Sequence, residues 1–236
     1  MKKPQLFLLH FAGGNCYSFQ FMAGLLNSFD VVPLELPGRG KRMTEALLTD
    51  FESAANDLFT QIEKKLSGAT FLLYGHSMGA FLALRMANRL EAVGRPPACV
   101  IVSGNAGPAE TGRPKKRRYL MEPEPFKEEL IKIGGVPAEL LENEELFGFF
   151  EPVLRADFRI AENHGMENER ATGVPLFALM GTEEEHVGLI TNWQRYTTST
   201  FRYEVLSGDH FFIRKHPRRL AAIIRECYEQ ATLVQQ

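Results

Sequence analysis

The stretch that decides the fold is Phe71–Leu84, which reads FLLYGHSMGAFLAL. Its first four residues are apolar and predict a buried strand, and the apolar run after Gly79 predicts a helix. Between them lies the pattern G-x-S-x-G, in which Gly75 and Gly79 leave room for a tight, strained turn. Such a turn lifts Ser77 above the sheet, over a helix N-terminus whose amides and dipole favour an oxyanion. We therefore predict that Ser77 is a nucleophile.

Length and composition are those of an ordinary globular protein. The chain has 236 residues and a net charge of −2, so its charge gives no reason to expect nucleic acid or an anionic membrane as a partner. Three widely spaced cysteines form no disulfide or metal pattern, which is typical of a reducing compartment. The apolar run after Lys2 and Lys3 is too short for a signal peptide, and no stretch approaches the ~20 apolar residues of a membrane span. We expect a cytoplasmic protein.

Predicted strands alternate with predicted helices over most of the chain. The strands are expected at Gln5–Leu9, Val31–Leu36, Phe71–Tyr74, Ala98–Val102, Val174–Met180 and Phe201–Leu206. This alternation is typical of an α/β protein with a parallel, doubly wound sheet. Residues 108–173 interrupt it with short amphipathic helices and no convincing strand. Because this segment is too long for a simple crossover, we interpret it as an inserted helical lid and call it the lid segment.

A glycine-rich loop, His10–Asn15, follows the first predicted strand. Adjacent glycines let a backbone approach a ligand closely. In hydrolases with this type of serine turn, the second amide of the oxyanion hole comes from such a loop. We therefore predict an oxyanion hole formed by the backbone amides of Ala12 and Met78. A phosphate-binding loop is less favoured, because neither G-x-G-x-x-G nor a P-loop lysine is present.

A serine nucleophile needs a base, and the base needs an acid that fixes its tautomer. The chain order Ser, acid, His predicts His210 as the base, because it follows the last strand and precedes the final helix. The acid should follow the strand Val174–Met180, where three consecutive glutamates, residues 183–185, are candidates. Asp209 is adjacent to His210 and badly placed to reach its ring, while Asp157 would have to reach in from the lid segment.

Six segments of the chain together resemble segments of the type II, stand-alone editing thioesterases of nonribosomal peptide and polyketide synthesis. The matching segments are Phe11–Gly14 (FAGG), Leu36–Gly40 (LPGRG), Gly75–Gly79 (GHSMG), Gly134–Pro137 (GGVP), Leu154–Asp157 (LRAD) and Gly208–Phe212 (GDHFF). They occur in the order of that family and span nearly the whole chain, and GGVP and LRAD are more specific than G-x-S-x-G. The resemblance implies an α/β-hydrolase fold in which residues 1–236 form one domain with the lid inserted.

The resemblance also implies an activity. Members of that family hydrolyse acyl or aminoacyl thioesters from the phosphopantetheine arm of carrier proteins, which clears misprimed or stalled groups. On the matching positions, Ser77 is the nucleophile, His210 the base, and the amides of Ala12 and Met78 the oxyanion hole. No metal or cofactor is implied, because the substrate itself carries the phosphopantetheine, and we expect a monomer.

Two positions depart from the family pattern. The usual acid is an aspartate three residues after the glycine that follows its strand, and that position is Glu184 in this chain. A glutamate is one methylene longer, so it must retract or shift its loop to orient His210. The usual glycine before the histidine is Asp209 here. Its charge either raises the pKa of His210 or faces solvent.

Basic clusters are candidate docking sites, because carrier proteins are commonly acidic. One cluster is Lys115–Arg118 in the lid segment, and the second consists of Arg214, Lys215, Arg218 and Arg219. A solvated basic face explains each cluster equally well. For Arg39, Lys41 and Arg42, which follow the second strand, a solvated loop is the expectation.

Two other functions are compatible with these residues. A carboxylesterase, lipase or acyltransferase would have the same fold and a different substrate preference, since an esterase prefers small oxyesters. A catalytically silent α/β-hydrolase would bind an acyl carrier or a small ligand without turnover. The replacement of the usual aspartate by Glu184 is the only feature that favours the silent protein.

Overall fold

The computed structural model describes residues 2–109 and 116–233. Its strands are β1 (Gln5–Leu9), β2 (Asp30–Pro33), β3 (Phe71–His76), β4 (Cys99–Ser103), β5 (Leu176–Gly181) and β6 (Phe201–Leu206). Its helices are α1 (Gln20–Ala23), α2 (Phe51–Lys65), α3 (Met78–Ala92), α4 (Pro123–Ile133), α5 (Ala138–Glu142), α6 (Glu144–Glu162), α7 (Phe212–Lys215) and α8 (Pro217–Leu233). Segments of 3₁₀-helix lie at Gly40–Arg42, Arg118–Leu120 and Val187–Tyr196.

The six strands form one sheet in the order β2-β1-β3-β4-β5-β6, and every neighbouring pair is parallel. The order of the strands reverses between β1 and β3, which are adjacent in the sheet but separated in sequence by β2. Ligand sites of open α/β sheets lie at the carboxyl ends of the strands beside such a switch point. The predicted doubly wound α/β fold is confirmed, and it places the Ser77 turn and the glycine-rich loop side by side.

Helices cover both faces of the sheet. In β1, Phe7 and Leu9 pack with α2 and α3 on one face, whereas Leu6 and Leu8 pack with α1 and α8 on the other. This alternation follows from the two-residue side-chain period of a strand. Because both faces are covered, β1, β3, β4 and β5 are buried along their whole length, which explains their continuous apolar sequences.

The helices α4, α5 and α6 of the lid segment lie between β4 and β5 in the chain. They bury an apolar cluster of their own, whose members include Phe126, Leu130, Phe147 and Leu154. Ala12, from the loop after β1, packs against that cluster. The lid segment therefore contacts the core at the loop that was predicted to supply an oxyanion amide.

Strands β3, β4 and β5 differ from their predicted bounds by at most two residues, and β2 differs by more. Strand β2 ends at Pro33 rather than Leu36. The amide of Leu34 still donates to the Leu8 carbonyl of β1 at 2.9 Å, but the next two amides bond to side chains: Glu35 N donates to Gln61 Oε1 and Leu36 N to His10 Nε2, both at 3.4 Å. The segment around Trp193, Val187–Tyr196, is a 3₁₀-helix. In the part of the chain that the structure describes, no helix has the length and apolar character needed to cross a membrane.

Candidate active site

The turn between β3 and α3 holds Ser77 in a strained backbone conformation. Its φ is +55°, and it is the only residue other than glycine with a positive φ among residues 2–109 and 116–233. A Cβ on Gly75 would lie 2.0 Å from the carbonyl oxygen of Gly79, and a Cβ on Gly79 would lie 2.2 Å from that of Leu9. Both glycines are therefore needed on steric grounds, as the G-x-S-x-G pattern predicted.

Hydrogen bonds from the end of β4 and the loop after it restrain both the amide and the carbonyl of Ser77. The amide of Ser77 donates to the carbonyl of Ser103 at 2.7 Å, and the side-chain amide of Asn105 donates to the carbonyl of Ser77 at 2.9 Å. These bonds restrain a conformation that is costly for a non-glycine residue. Sequence reasoning did not single out Asn105. Its signal was a polar residue two positions after the end of β4, the buried strand that neighbours the Ser77 strand.

The side chains of His210 and Glu184 meet across the ends of β5 and β6. His210 Nδ1 lies 2.8 Å from Glu184 Oε2, and Gly181 N donates to Glu184 Oε1 at 2.8 Å. The bond to Gly181 folds the glutamate back toward the end of β5, which accommodates its extra methylene. Glu183 and Glu185 are exposed. The structure thus selects Glu184 from the three consecutive glutamates as the partner of His210.

His210 lies beside the residue that precedes the candidate nucleophile. The ring centroids of His210 and His76 are 5.0 Å apart, and a Cβ on Gly104 would lie 2.4 Å from His76 Cε1 and 3.1 Å from His210 Cε1. Within the described residues, the Ser77 hydroxyl makes no hydrogen bond to His210. Bonds of this type often become short only when substrate is bound.

The two backbone amides predicted for the oxyanion hole are available. Met78 is the first residue of α3, where amides lack a partner within the helix, and Ala12 follows β1. Neither amide donates to an acceptor among residues 2–109 and 116–233. Because β1 and β3 are paired as far as Leu9 and Gly75, the two loops leave the sheet next to each other.

Arg39 and Asp157 form a buried ion pair, so the expectation of a solvated loop is wrong for Arg39. Arg39 is 5% exposed and Asp157 is 0% exposed. Both terminal nitrogens of the Arg39 guanidinium, Nη1 and Nη2, donate to the carboxylate of Asp157, and Nη2 lies 2.9 Å from Oδ1. Asp157 is therefore a partner of Arg39 and not of His210. The signal in the sequence was that LPGRG and LRAD, two of the matching segments, each carry one of these opposite charges.

Two other histidines near the site are buried and neutral. Burial, reinforced by the Arg39 charge, lowers the pKa of His10 to about 4. Its ring donates from Nδ1 to the Phe11 carbonyl at 2.9 Å and accepts the Leu36 amide. Burial also holds the pKa of His76 well below its usual value, and His76 Nδ1 lies 2.8 Å from the Ser103 hydroxyl. These partners leave His210 as the candidate base.

Asp209 turns away from His210. Its carboxylate accepts the amide of Phe211 at 2.8 Å and pairs with Lys215 at 3.0 Å. Burial alone would raise the pKa of Asp209, but Lys215 and the Phe211 amide outweigh it and lower that pKa. Of the two alternatives for this position, the half-exposed, outward-facing carboxylate is the one observed.

Comparison with known proteins identifies the family to which this chain belongs. The family profile described as "Thioesterase domain" matches residues 4–230 of the chain. The chain is 32% identical to a probable cadicidin biosynthesis thioesterase of Streptomyces griseus, over 88% of this chain and 57% of that protein. It is 31% identical to linear gramicidin dehydrogenase LgrE of Brevibacillus parabrevis, over 93% of this chain and 85% of that protein.

One solved structure is similar to this chain over almost the whole length of both proteins. The type II thioesterase YbtT, from the yersiniabactin NRPS/PKS biosynthetic pathway, superposes with a TM-score of 0.87 at 27% sequence identity. The match covers 98% of this chain and 94% of that one. Both the sheet and the helices of the lid segment therefore have counterparts in a solved thioesterase.

The contact between Glu184 and His210 can be tested with an isosteric change. In Glu184→Gln, the amide cannot hold the imidazolium that forms when His210 accepts a proton. We expect kcat for an acetyl thioester to fall by roughly 10³-fold with little change in KM. The matched control is Glu183→Gln, which changes an exposed neighbour and should leave kcat unchanged. Equal losses in the two variants would show that Glu184 is not the acid.

Proposed function

This chain is a member of the thioesterase family, and we propose that it hydrolyses acyl or aminoacyl thioesters on the phosphopantetheine arm of carrier proteins in nonribosomal peptide or polyketide synthesis. The observation that carries the proposal is the pair His210–Glu184 placed beside the strained turn of Ser77. The relatives named as biosynthetic thioesterases support the substrate class. Removal of misprimed or stalled groups is the corresponding role.

The proposed reaction is acyl transfer through Ser77. His210 Nε2 takes the hydroxyl proton while the oxygen attacks the thioester carbonyl, and Glu184 holds the opposite ring nitrogen. The amides of Ala12 and Met78 donate to the oxyanion as the carbonyl becomes tetrahedral. The carbon–sulfur bond then breaks, and the thiol leaves with the proton from His210.

Water completes the cycle. His210 takes a proton from a water molecule, which attacks the acyl-Ser77 ester, and the oxyanion forms against the same two amides. The tetrahedral intermediate collapses to the free acid, and the proton returns to Ser77. A thioester is already an activated acyl group, so the scheme needs neither a metal ion nor a cofactor.

Within the two basic clusters, the exposed arginines without an ion-pair partner in the described part of the chain are Arg117 in the lid segment and Arg214 and Arg218 in the second cluster, and only the second cluster follows His210 closely in the chain. Lys116 and Arg118 are paired with acids of the lid segment, Glu129 at 2.9 Å and 3.1 Å respectively, and Lys115 lies outside the described residues. In the second cluster, Arg219 is paired with Glu204 and Glu226, whereas Arg218 is exposed and has no ion-pair partner in the described part of the chain. We therefore propose docking at the second cluster rather than at the lid segment.

The position of Arg214 also supports docking at the second cluster. It is exposed and lies over the ring of Phe211, with the guanidinium carbon 4.7 Å from the ring centroid. Phe211 is next to His210 in the chain and contacts its ring edge-to-face at 5.2 Å. A carrier protein bound at Arg214 and Arg218 would place its phosphopantetheine arm near the entrance to the site.

We also propose a cytoplasmic location. The three cysteines, Cys16, Cys99 and Cys227, are free thiols. Unpaired cysteines are typical of proteins kept in a reducing compartment.

The proposed function can be tested by release of acetate from an acetyl-phosphopantetheinyl carrier protein. We expect the wild type to release acetate and Ser77→Ala to lose nearly all of this activity, because the hydroxyl is the acyl acceptor. A small acetyl oxyester serves as the comparison substrate. Faster cleavage of the oxyester than of the acetyl carrier would favour a carboxylesterase, and no cleavage of either would favour a silent binding protein.

Docking at the second cluster can be tested by reversing one charge. In Arg218→Glu, we expect KM for the acetyl carrier protein to rise several-fold at low salt, because an acidic partner is repelled. KM for a small acetyl thioester should not change. Lys64→Glu is the matched control, since Lys64 is exposed, has no ion-pair partner among the described residues and lies in the last turn of α2, before the start of β3. Equal effects on both substrates would rule out the docking role.

A further inference from the structure

The carboxylate of Asp157 joins the lid segment to the loop after β1. Its Oδ2 accepts the amide of Gly13 at 2.8 Å, and its Oδ1 accepts Nη2 of Arg39 at 2.9 Å. Asp157 lies in α6, and its side chain is fully buried. One carboxylate therefore holds three segments that are far apart in the sequence: the loop after β1, the loop after β2 and a helix of the lid segment.

The same helix restrains Gly13 from a second direction. Leu154 lies one turn before Asp157 in α6, and a Cβ on Gly13 would lie 2.6 Å from Leu154 Cδ2. Gly13 has a φ of +76°, which glycine adopts at little cost. The position of Gly13 and the direction of its amide are therefore both set by α6.

Restraint of Gly13 fixes the orientation of Ala12. The carbonyl of Ala12 and the amide of Gly13 belong to one planar peptide unit, so a bond to that amide sets the whole plane. On the other side, the amide of Gly14 donates to the carbonyl of Phe11 at 2.9 Å and closes the turn. The amide of Ala12, a proposed oxyanion donor, lies between these two restraints.

Stability alone does not account for a buried ion pair at this place. Two desolvated charges are costly, and well-packed apolar replacements of buried pairs are often as stable or more stable. An apolar pair could join α6 to the core, but it could not accept the hydrogen bond of Gly13. What Asp157 provides in addition is a fixed acceptor for one backbone amide beside the oxyanion hole.

We propose that Asp157 is a positioning residue for the oxyanion hole, and that the hole is complete only when α6 is seated on the core. This inference rests on the proposed function, because it takes the Ala12 amide as a donor to the oxyanion of thioester hydrolysis. Seating of the lid helix and completion of the oxyanion hole are then a single event. A substrate bound under the lid segment reaches full reactivity only after α6 has closed over it.

The test compares a single substitution of Asp157 with a double substitution of the Arg39–Asp157 ion pair. In Asp157→Asn, an NH2 group replaces one carboxylate oxygen and faces either Nη2 of Arg39 or the amide of Gly13, two donors, so the side chain is displaced. We expect kcat for a small acetyl thioester to fall on the order of 10²-fold, the cost of a displaced oxyanion donor. KM should change less than about threefold, since the loss is confined to the transition state. The double variant Arg39→Met/Asp157→Leu removes both buried charges. Its Tm should exceed that of Asp157→Asn, while its kcat stays low.

Inhibition by a boronic acid measures the oxyanion hole directly. A boronic acid forms a tetrahedral adduct with a nucleophilic serine and places an oxygen where the oxyanion forms. We expect the inhibition constant of phenylboronic acid to rise by about the same factor as kcat falls. Glu162→Gln is the matched control, because Glu162 lies in the same helix, is 10% exposed and pairs with Arg118 at 2.9 Å without touching Gly13. It should retain the kcat of the wild type.

Three outcomes would overturn the inference. A wild-type kcat in Asp157→Asn would do so, and so would a double variant whose kcat recovers together with its Tm, because the pair would then be purely structural. If Asp157→Asn fails to fold, the double variant decides the question alone. A wild type that hydrolyses no thioester would overturn the proposed function as well, which distinguishes that failure from the other two.

Discussion

The constraint on which the site depends is the close approach of α3 to the ends of β1 and β3. The backbone of Gly79 lies so near the carbonyl of Leu9 that no side chain fits between them. This contact brings the start of α3 against the loop after β1, so the amides of Met78 and Ala12 lie on neighbouring loops. It also forces the chain through the positive φ of Ser77. One steric condition therefore places a partly exposed serine and the two candidate oxyanion amides together.

The titratable side chains around His210, apart from Glu184, are neutral, paired with each other or turned away from its ring. Burial keeps His10 and His76 neutral, so neither competes with His210 for protons. The buried charges of Arg39 and Asp157 neutralise each other, and Asp209 is drawn outward by Lys215. Glu184 is the acid that contacts the ring of His210 in the described structure.

The sequence predicted the parts of this account that depend on local pattern or on chain order. Strands β1 and β6 were predicted to the residue, because apolar runs bounded by turns are local signals, and His210 followed from its place after the last strand. Chain order left three consecutive glutamates open, and the family resemblance singled out Glu184. Its contact with His210 needed coordinates, because a loop sequence does not show which side chain turns inward. The pairing of Arg39 with Asp157 was missed for a different reason. The two residues are 118 positions apart, and an arginine in a basic loop gives no sign that it is buried.

The central claim is that hydrolysis proceeds through an acyl group on Ser77. The most direct measurement is rapid acid quenching of the wild type with an acetyl thioester, followed by mass spectrometry of the peptide that contains Ser77. The account predicts an acetyl group on that serine within the first turnover, and none on the same peptide of Ser77→Ala. Hydrolysis without acetylated Ser77, or an acetyl group on another side chain such as Cys16, would contradict it.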